Sequence, residues 1–354
     1  MKKTLKICLV LLLVVAMLAV VGCSKTEKPA DGGQGEQAEQ PSPGESTGDA
    51  TGDLKTGLGV ITSLAESKDA GDANGEANTA TVLVGVLVDG AGVIQDCVID
   101  ELQAKIEFSA DGKIVTDKAT EFASKMAIGA DYGMKKASPI GKEWDEQAKA
   151  FADYIKGKTL EQVKGIALSE GKAADADLAA SITVYLGNFI NGVEKAVANA
   201  QPLGAKAGDT LGLSASAHLK KSADFADGKD GLAQSYATYT LVSKNAEGKV
   251  TSCVIDSTQG NVNFDATGKI TSDINAECKT KVELGPDYGM KKASAIGKEW
   301  DEQAKAFSEY VIGKTADEIK GISLTEGKAA DADLAASVSV TITPFIDLIV
   351  KAMQ

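Results

Sequence analysis

The chain contains a large part of itself twice. Residues 131–151, DYGMKKASPIGKEWDEQAKAF, return as residues 287–307 with one change in 21 positions, Pro139 against Ala295. The offset is 287 − 131 = 156 residues, and it holds without insertion from the pair Cys97/Cys253 to the pair Ser181/Ser337. A period this long marks a duplicated domain, since solenoid units repeat every 20–50 residues or so. Whatever one copy folds into, the other must fold into as well. The expected class is α+β: two tandem homologous domains, each an antiparallel β-sheet packed with helices, over residues 54–201 and 202–354. Each is long enough to bury a core without disulfides or metals.

Within a copy the hydrophobic period changes from strand to helix. Residues 81–88 (TVLVGVLV) and 93–108 are rich in β-branched residues and flank a turn at Asp89-Gly90-Ala91-Gly92, with a further turn at Asp111-Gly112. The second copy repeats this over 238–243 and 250–264, with turns at Glu247-Gly248 and Thr267-Gly268. Residues 58–64 and 211–219 each add an earlier strand, and sequential hairpins predict a meander. Ser138 and Pro139 then fit the cap and first position of a helix. Its apolar stripe is Ile140, Trp144, Ala148, Phe151 and Ile155, and Gly157 stops it. A short helix is expected from Thr159 (Thr315), and the hydroxyl/apolar alternation over 181–186 and 337–342 predicts a strand in each copy. Closing helices are expected over 189–200 and 344–353.

The amino terminus carries an address. Lys2, Lys3 and Lys6 precede an apolar run over residues 7–21, too short for a comfortable membrane span but suited to a secretory signal. Its end, Val20-Val21-Gly22-Cys23, resembles the lipobox of bacterial lipoproteins, with Val where Leu is commoner. That resemblance implies removal of residues 1–22 as a lipoprotein signal peptide and lipidation of Cys23. The protein is then held at the cell membrane by its lipid, facing the extracytoplasmic side. An ordinary signal peptide or an uncleaved anchor is the alternative. Residues 23–53, rich in Gly, Glu, Ser, Pro and Gln, have little to bury and are expected to form a disordered tether.

Charge and side-chain inventory narrow the chemistry. Net charge is −13 and the 37 basic residues are all lysine, so no basic face for nucleic acid is expected. Without arginine, an anionic ligand must be held by lysine or backbone N–H groups. Of five cysteines, Cys8 falls in the signal and Cys23 in the lipobox. Cys97 and Cys253 occupy equivalent apolar runs, while Cys278 stands where the first copy has Phe122. Buried thiols acting as small hydrophobes and a Cys253–Cys278 disulfide are both open readings. His218 is the only histidine, so no metal site is expected and a Ser–His–Asp arrangement is set aside. Asp145, Glu146, Asp175 and Asp177 read as solvated carboxylates, and nothing in the pattern specifies a catalyst.

Two segments resemble a known family. Ala137-Ser138-Pro139-Ile140-Gly141-Lys142-Glu143 is similar to the ASxIGxE segment of membrane-anchored lipoproteins in the FMN-binding domain superfamily. Asp175-Ala176-Asp177-Leu178-Ala179-Ala180-Ser181-Ile182-Thr183 resembles that superfamily's closing D-x-x-S/T-G-A-T-x-T motif, and residues 331–339 repeat it. The resemblance implies an FMN carrier, the flavin covalent or noncovalent, relaying electrons with membrane redox proteins. In flavinylated members the hydroxyl that follows the Gly-Ala of the motif is esterified to the FMN phosphate, which by position is Ser181 and Ser337; Thr183 follows in the same motif. The chain departs from it at Leu178-Ala179 and Leu334-Ala335, where the family has a hydroxyl and a glycine. A strand-edge serine is the other reading of Ser181 and Ser337. The repeated turn supplies Tyr132 and Tyr288 for stacking on a flat ring, and Lys135 and Lys291 for a phosphate. A flavin-free surface module for ligand binding or protein interaction is the alternative function.

Overall fold

The computed structural model describes residues 52–354. The signal peptide, Cys23 and all but the last two residues of the tether lie outside the described residues. In the first copy β1 (Lys55–Ser63), β2 (Gly75–Val88) and β3 (Ile94–Phe108) form a three-stranded antiparallel meander. There follow β4 (Glu121–Ala123), α1 (Lys125–Ile128), α2 (Trp144–Ile155), α3 (Leu160–Lys164), the two-residue strands β5 (Leu168–Ser169) and β6 (Lys172–Ala173), α4 (Ala176–Ala179) and α5 (Gly187–Ala198). The second copy gives β7 (Thr210–His218), β8 (Gly231–Lys244), β9 (Val250–Phe264), α6 (Lys281–Leu284), α7 (Trp300–Tyr310), α8 (Ala316–Lys320), β10 (Leu324–Thr325), β11 (Lys328–Ala329), α9 (Ala332–Ala335) and α10 (Thr343–Ala352). No helix among the described residues is long and apolar enough to cross a membrane.

Strand period decides the layering, because successive side chains leave opposite faces. Val82, Val84, Val86 and Val88 of β2 pack with Trp144, Phe151, Phe189 and Val193 of α2 and α5. Leu83 points the other way and meets Ala237, Tyr239 and Leu241 of β8. Both meanders are thus covered on both faces, by helices outside and by each other inside, and the two copies share one compact unit. Phe108 stacks on Phe264, its own counterpart, with ring centroids 4.4 Å apart. A residue meets its own copy only near the axis that relates the copies. The helices lie close on the strands: a Cβ on Gly59 would sit 2.2 Å from Gly192 O of α5. The arrangement is not symmetric throughout. β4 leaves its own copy and pairs with β7, giving the second sheet the order β4-β7-β8-β9.

Two sequence expectations change, and one open choice between readings is settled. The helix begins at Trp144 with Glu143 as its cap, instead of at Pro139 with Ser138 as its cap, because Gly141 has φ +64° and breaks the turn; the capping box Glu143/Glu146 starts the helix. Ser138 caps a turn, its Oγ accepting from Lys142 N at 3.4 Å. Residues 181–186 and 337–342 are not strands. Ile182 and Leu186 are buried as their alternation suggests, but the Thr183 N–H is taken by a side chain and the Leu186 N–H by Gly171 O. Cys97, Cys253 and Cys278 are all free thiols, the first two buried, so Cys253 and Cys278 are not bridged.

Candidate functional site

Each copy holds a cavity on the helix side of its sheet, about 600 Å³ in the first and about 820 Å³ in the second. The same positions line both: Lys125/Lys281, Tyr132/Tyr288, Met134/Met290, Ser138/Ser294, Trp144/Trp300 and Thr183/Ser339. The two segments singled out by the family resemblance are brought together here. A fully buried glutamine ties them. Gln147 Oε1 accepts from Thr183 N at 2.8 Å and Thr183 Oγ1 at 3.1 Å, while its Nε2 donates to Ser138 Oγ at 3.3 Å and Lys142 O at 3.2 Å. Gln303 does the same with Ser339, Ser294 and Lys298. Buried itself and bonded to both segments, the glutamine fixes the distance between the two cavity walls.

A buried aspartate positions the lysine at the cavity floor. Asp100 Oδ1 accepts from Glu101 N at 2.7 Å and Met126 N at 3.0 Å, holding the start of α1 against β3. Asp256 Oδ1 accepts from Ser257 N at 2.7 Å and Val282 N at 3.1 Å and holds α6 likewise. Burial pushes both carboxyls up, Asp100 to about 6 and Asp256 to about 7. Lys125 and Lys281, next to these contacts, are thereby aimed into the two cavities.

The lysines then meet different company. Lys125 Nζ lies 2.8 Å from Glu101 Oε1 in a largely buried ion pair, over the rings of Tyr132 and Trp144 at 4.9 and 5.2 Å. In the second copy Ser257 replaces Glu101 and Tyr236 replaces Ala80. Lys281, 2% exposed, has no carboxylate in an ion pair with it among the described residues. Its Nζ is ringed by Tyr236, Tyr288 and Trp300 at 4.1, 4.6 and 4.8 Å and hydrogen-bonds the Tyr236 hydroxyl. Burial pulls Lys281 down to about 7, with Lys221 adding to the fall and Asp256 opposing it. Burial lifts Tyr236 to about 12. His218 stacks on Tyr236 at 5.0 Å and is held below its usual range by burial and by Lys220. Five lysines line this cavity (220, 221, 281, 328 and 351) against two acids, Glu121 and Asp347. In a chain of net charge −13 that is a local reversal of sign.

Of the residues expected from sequence, Tyr132, Tyr288 and Thr183 line the cavities. Lys135 and Lys291 are exposed and lie outside the lining. Ser181 and Ser337 are half-buried, two residues before the lining hydroxyls of Thr183 and Ser339. Trp144 is core and cavity wall at once. His218, set aside in the sequence, stands at the second cavity. Lys125, Lys281, Glu101, Tyr236 and the two glutamines were missed. Reading the copies for positions where they differ, such as 101/257 and 80/236, is the signal that finds Glu101 and Tyr236; the lysines and glutamines are the same in both copies and carry no such signal. Among the described residues no group of His, Cys, Asp and Glu could hold a metal ion. The chain matches no protein-family model, no curated protein and no solved structure.

Proposed function

We propose that the protein is a lipid-anchored, extracytoplasmic binding protein whose second copy takes an anionic ligand with a flat conjugated part. In this reading the copies are homologous domains that have diverged after duplication. The observation that carries it is Lys281, a buried amine without a carboxylate partner at the floor of a cavity lined by four more lysines. A buried ammonium is stable only when paired, and an incoming anion supplies the pair. Tyr288 and Trp300 offer the ring faces. A cavity of about 820 Å³ is of the size that small-molecule sites use.

FMN belongs to this ligand class, and the family resemblance makes it the first ligand to test. Lys281, Lys221 and Lys328 suit its phosphate, and Tyr288 and Trp300 its ring. Bound flavin supplies one- and two-electron transfer, which would make the protein a carrier for membrane redox partners. Noncovalent binding is favoured, because Ser181 and Ser337 are not among the lining residues. Lys281→Met should weaken FMN binding in a fluorescence titration at least ~10-fold, the value of one charge-assisted hydrogen bond. Unchanged affinity, or an equal loss on Lys125→Met, overturns the assignment. Flavin absorption that survives denaturation of protein from its own host would instead mean attachment to a hydroxyl, which Ser337→Ala should abolish.

A further inference from the structure

We propose that Lys281 is a reactive amine that forms a reversible imine with planar aldehydes carrying an anionic group. The inference rests on the binding reading above only for the ligand's charge. The amine chemistry stands on its own geometry.

A lysine attacks a carbonyl only when it is unprotonated, reachable and positioned. Lys281 lines the larger cavity, and its Nζ lies over three aromatic rings. Its counterpart Lys125 lies in an ion pair with Glu101 at 2.8 Å. Where that acid would stand, Ser257 offers only a hydroxyl already donated to Ala237 O at 2.7 Å. Asp256 is the buried carboxyl that favours the charged amine, but its Oδ1 is taken by the Ser257 and Val282 N–H groups. Burial and Lys221 act the other way, so a substantial fraction of Lys281 is free amine near neutral pH. Tyr236 keeps its proton and shares a hydrogen bond with Nζ.

The step balances without an oxidant or a reductant. The Nζ lone pair attacks the carbonyl carbon, forming a C–N bond. The two protons lost by nitrogen pass to the carbonyl oxygen, with Tyr236 placed to relay them, and the oxygen leaves as water. The product is a C=N bond at Nζ, and hydrolysis returns the amine. Lysines 220, 221, 328 and 351 suit the anionic group, and the rings suit a flat aldehyde.

The test uses the full chain with one equivalent of pyridoxal 5′-phosphate, followed by borohydride reduction and peptide mass mapping. Lys281 should carry at least ten times the label of Lys125 and of every other lysine, and Tyr236→Phe should slow its labelling. Label spread evenly over surface lysines, or Lys125 labelled as fast as Lys281, overturns the proposal. Pyridoxine 5′-phosphate, with an alcohol in place of the aldehyde, separates the two readings. If it binds and protects Lys281 from acylation while the aldehyde forms no imine there, anion binding stands and the imine falls. If Lys281 is labelled selectively but the alcohol does not bind, the amine is reactive and the anion reading falls.

Discussion

The two cavities are the same stretch of chain folded twice, and they differ where it matters for charge. In the first, Lys125 is neutralised by Glu101 within the protein. In the second, Ser257 has removed the acid, Tyr236 has filled the space of Ala80, and His218 stands at the position of Ser63, each being the strand partner of the 80/236 position. The backbone ties, Asp100/Asp256 and Gln147/Gln303, are unchanged. Residues that set the shape are kept in both copies. Residues that set the charge are not. One cavity pairs its lysine with an acid, and the other, among the described residues, does not.

The hardest blow to this comparison comes from the ion pair. Glu101→Gln should cost about 3 kcal/mol of unfolding free energy at pH 7, because it strands a buried lysine charge. Ser257→Ala, losing one neutral hydrogen bond, should cost about 1 kcal/mol in the same urea titration. Equal costs would mean that the first cavity does not depend on its acid. Next, the shared ties should behave alike: Gln147→Leu and Gln303→Leu should each cost about 2 kcal/mol by removing the partners of half-buried backbone and hydroxyl groups. A twofold disagreement would show that the copies differ in shape as well as in charge.

The gentlest test is the pH dependence of stability. Asp256 binds its proton more tightly in the native state, about 7 against 3.8, so its contribution falls as pH rises through that window. Lys281 binds its proton less tightly, about 7 against 10.5, so its contribution rises with pH above 7. The two together place a minimum near neutrality, with limbs no steeper than ~1.4 kcal/mol per pH unit for each proton. Asp256→Asn should flatten the acid limb and Lys281→Met the alkaline one, read as urea midpoints across pH. If Lys281→Met leaves the alkaline limb intact, the second lysine is as well paired as the first.

The sheets were legible because strand burial writes itself into β-branched alternation. The strand over 250–264 was placed at both ends, and the meander order followed from hairpin turns alone. The helix start was misplaced because Ser138-Pro139 has cap chemistry, while the decisive residue is Gly141, whose positive φ no pattern of apolar spacing reveals. The segment 181–186 kept the burial of a strand but gave its hydrogen bonds to Gln147 and Gly171, which are distant in sequence. The turn with Tyr132 was found because it repeats. Lys125 and Lys281 were overlooked because a lysine at the start of a four-residue helix reads as surface. Only the fold shows that Asp100 and Asp256 pin it inward.

Strand β4 has a consequence for the life of the chain. It belongs to the first copy by sequence and to the second by hydrogen bonding, with Phe122 opposite Ala217. The equivalent residues 277–279 form no strand, and Cys278 stands where Phe122 does. On the ribosome β4 emerges 210 − 123 = 87 residues before the partner strand begins, so it waits while its own copy is completed. A fragment starting at the second copy would present β7 as a bare edge, open to any strand that meets it. Duplication supplied two halves that look separable on paper; this three-residue crossing makes them a single inheritance.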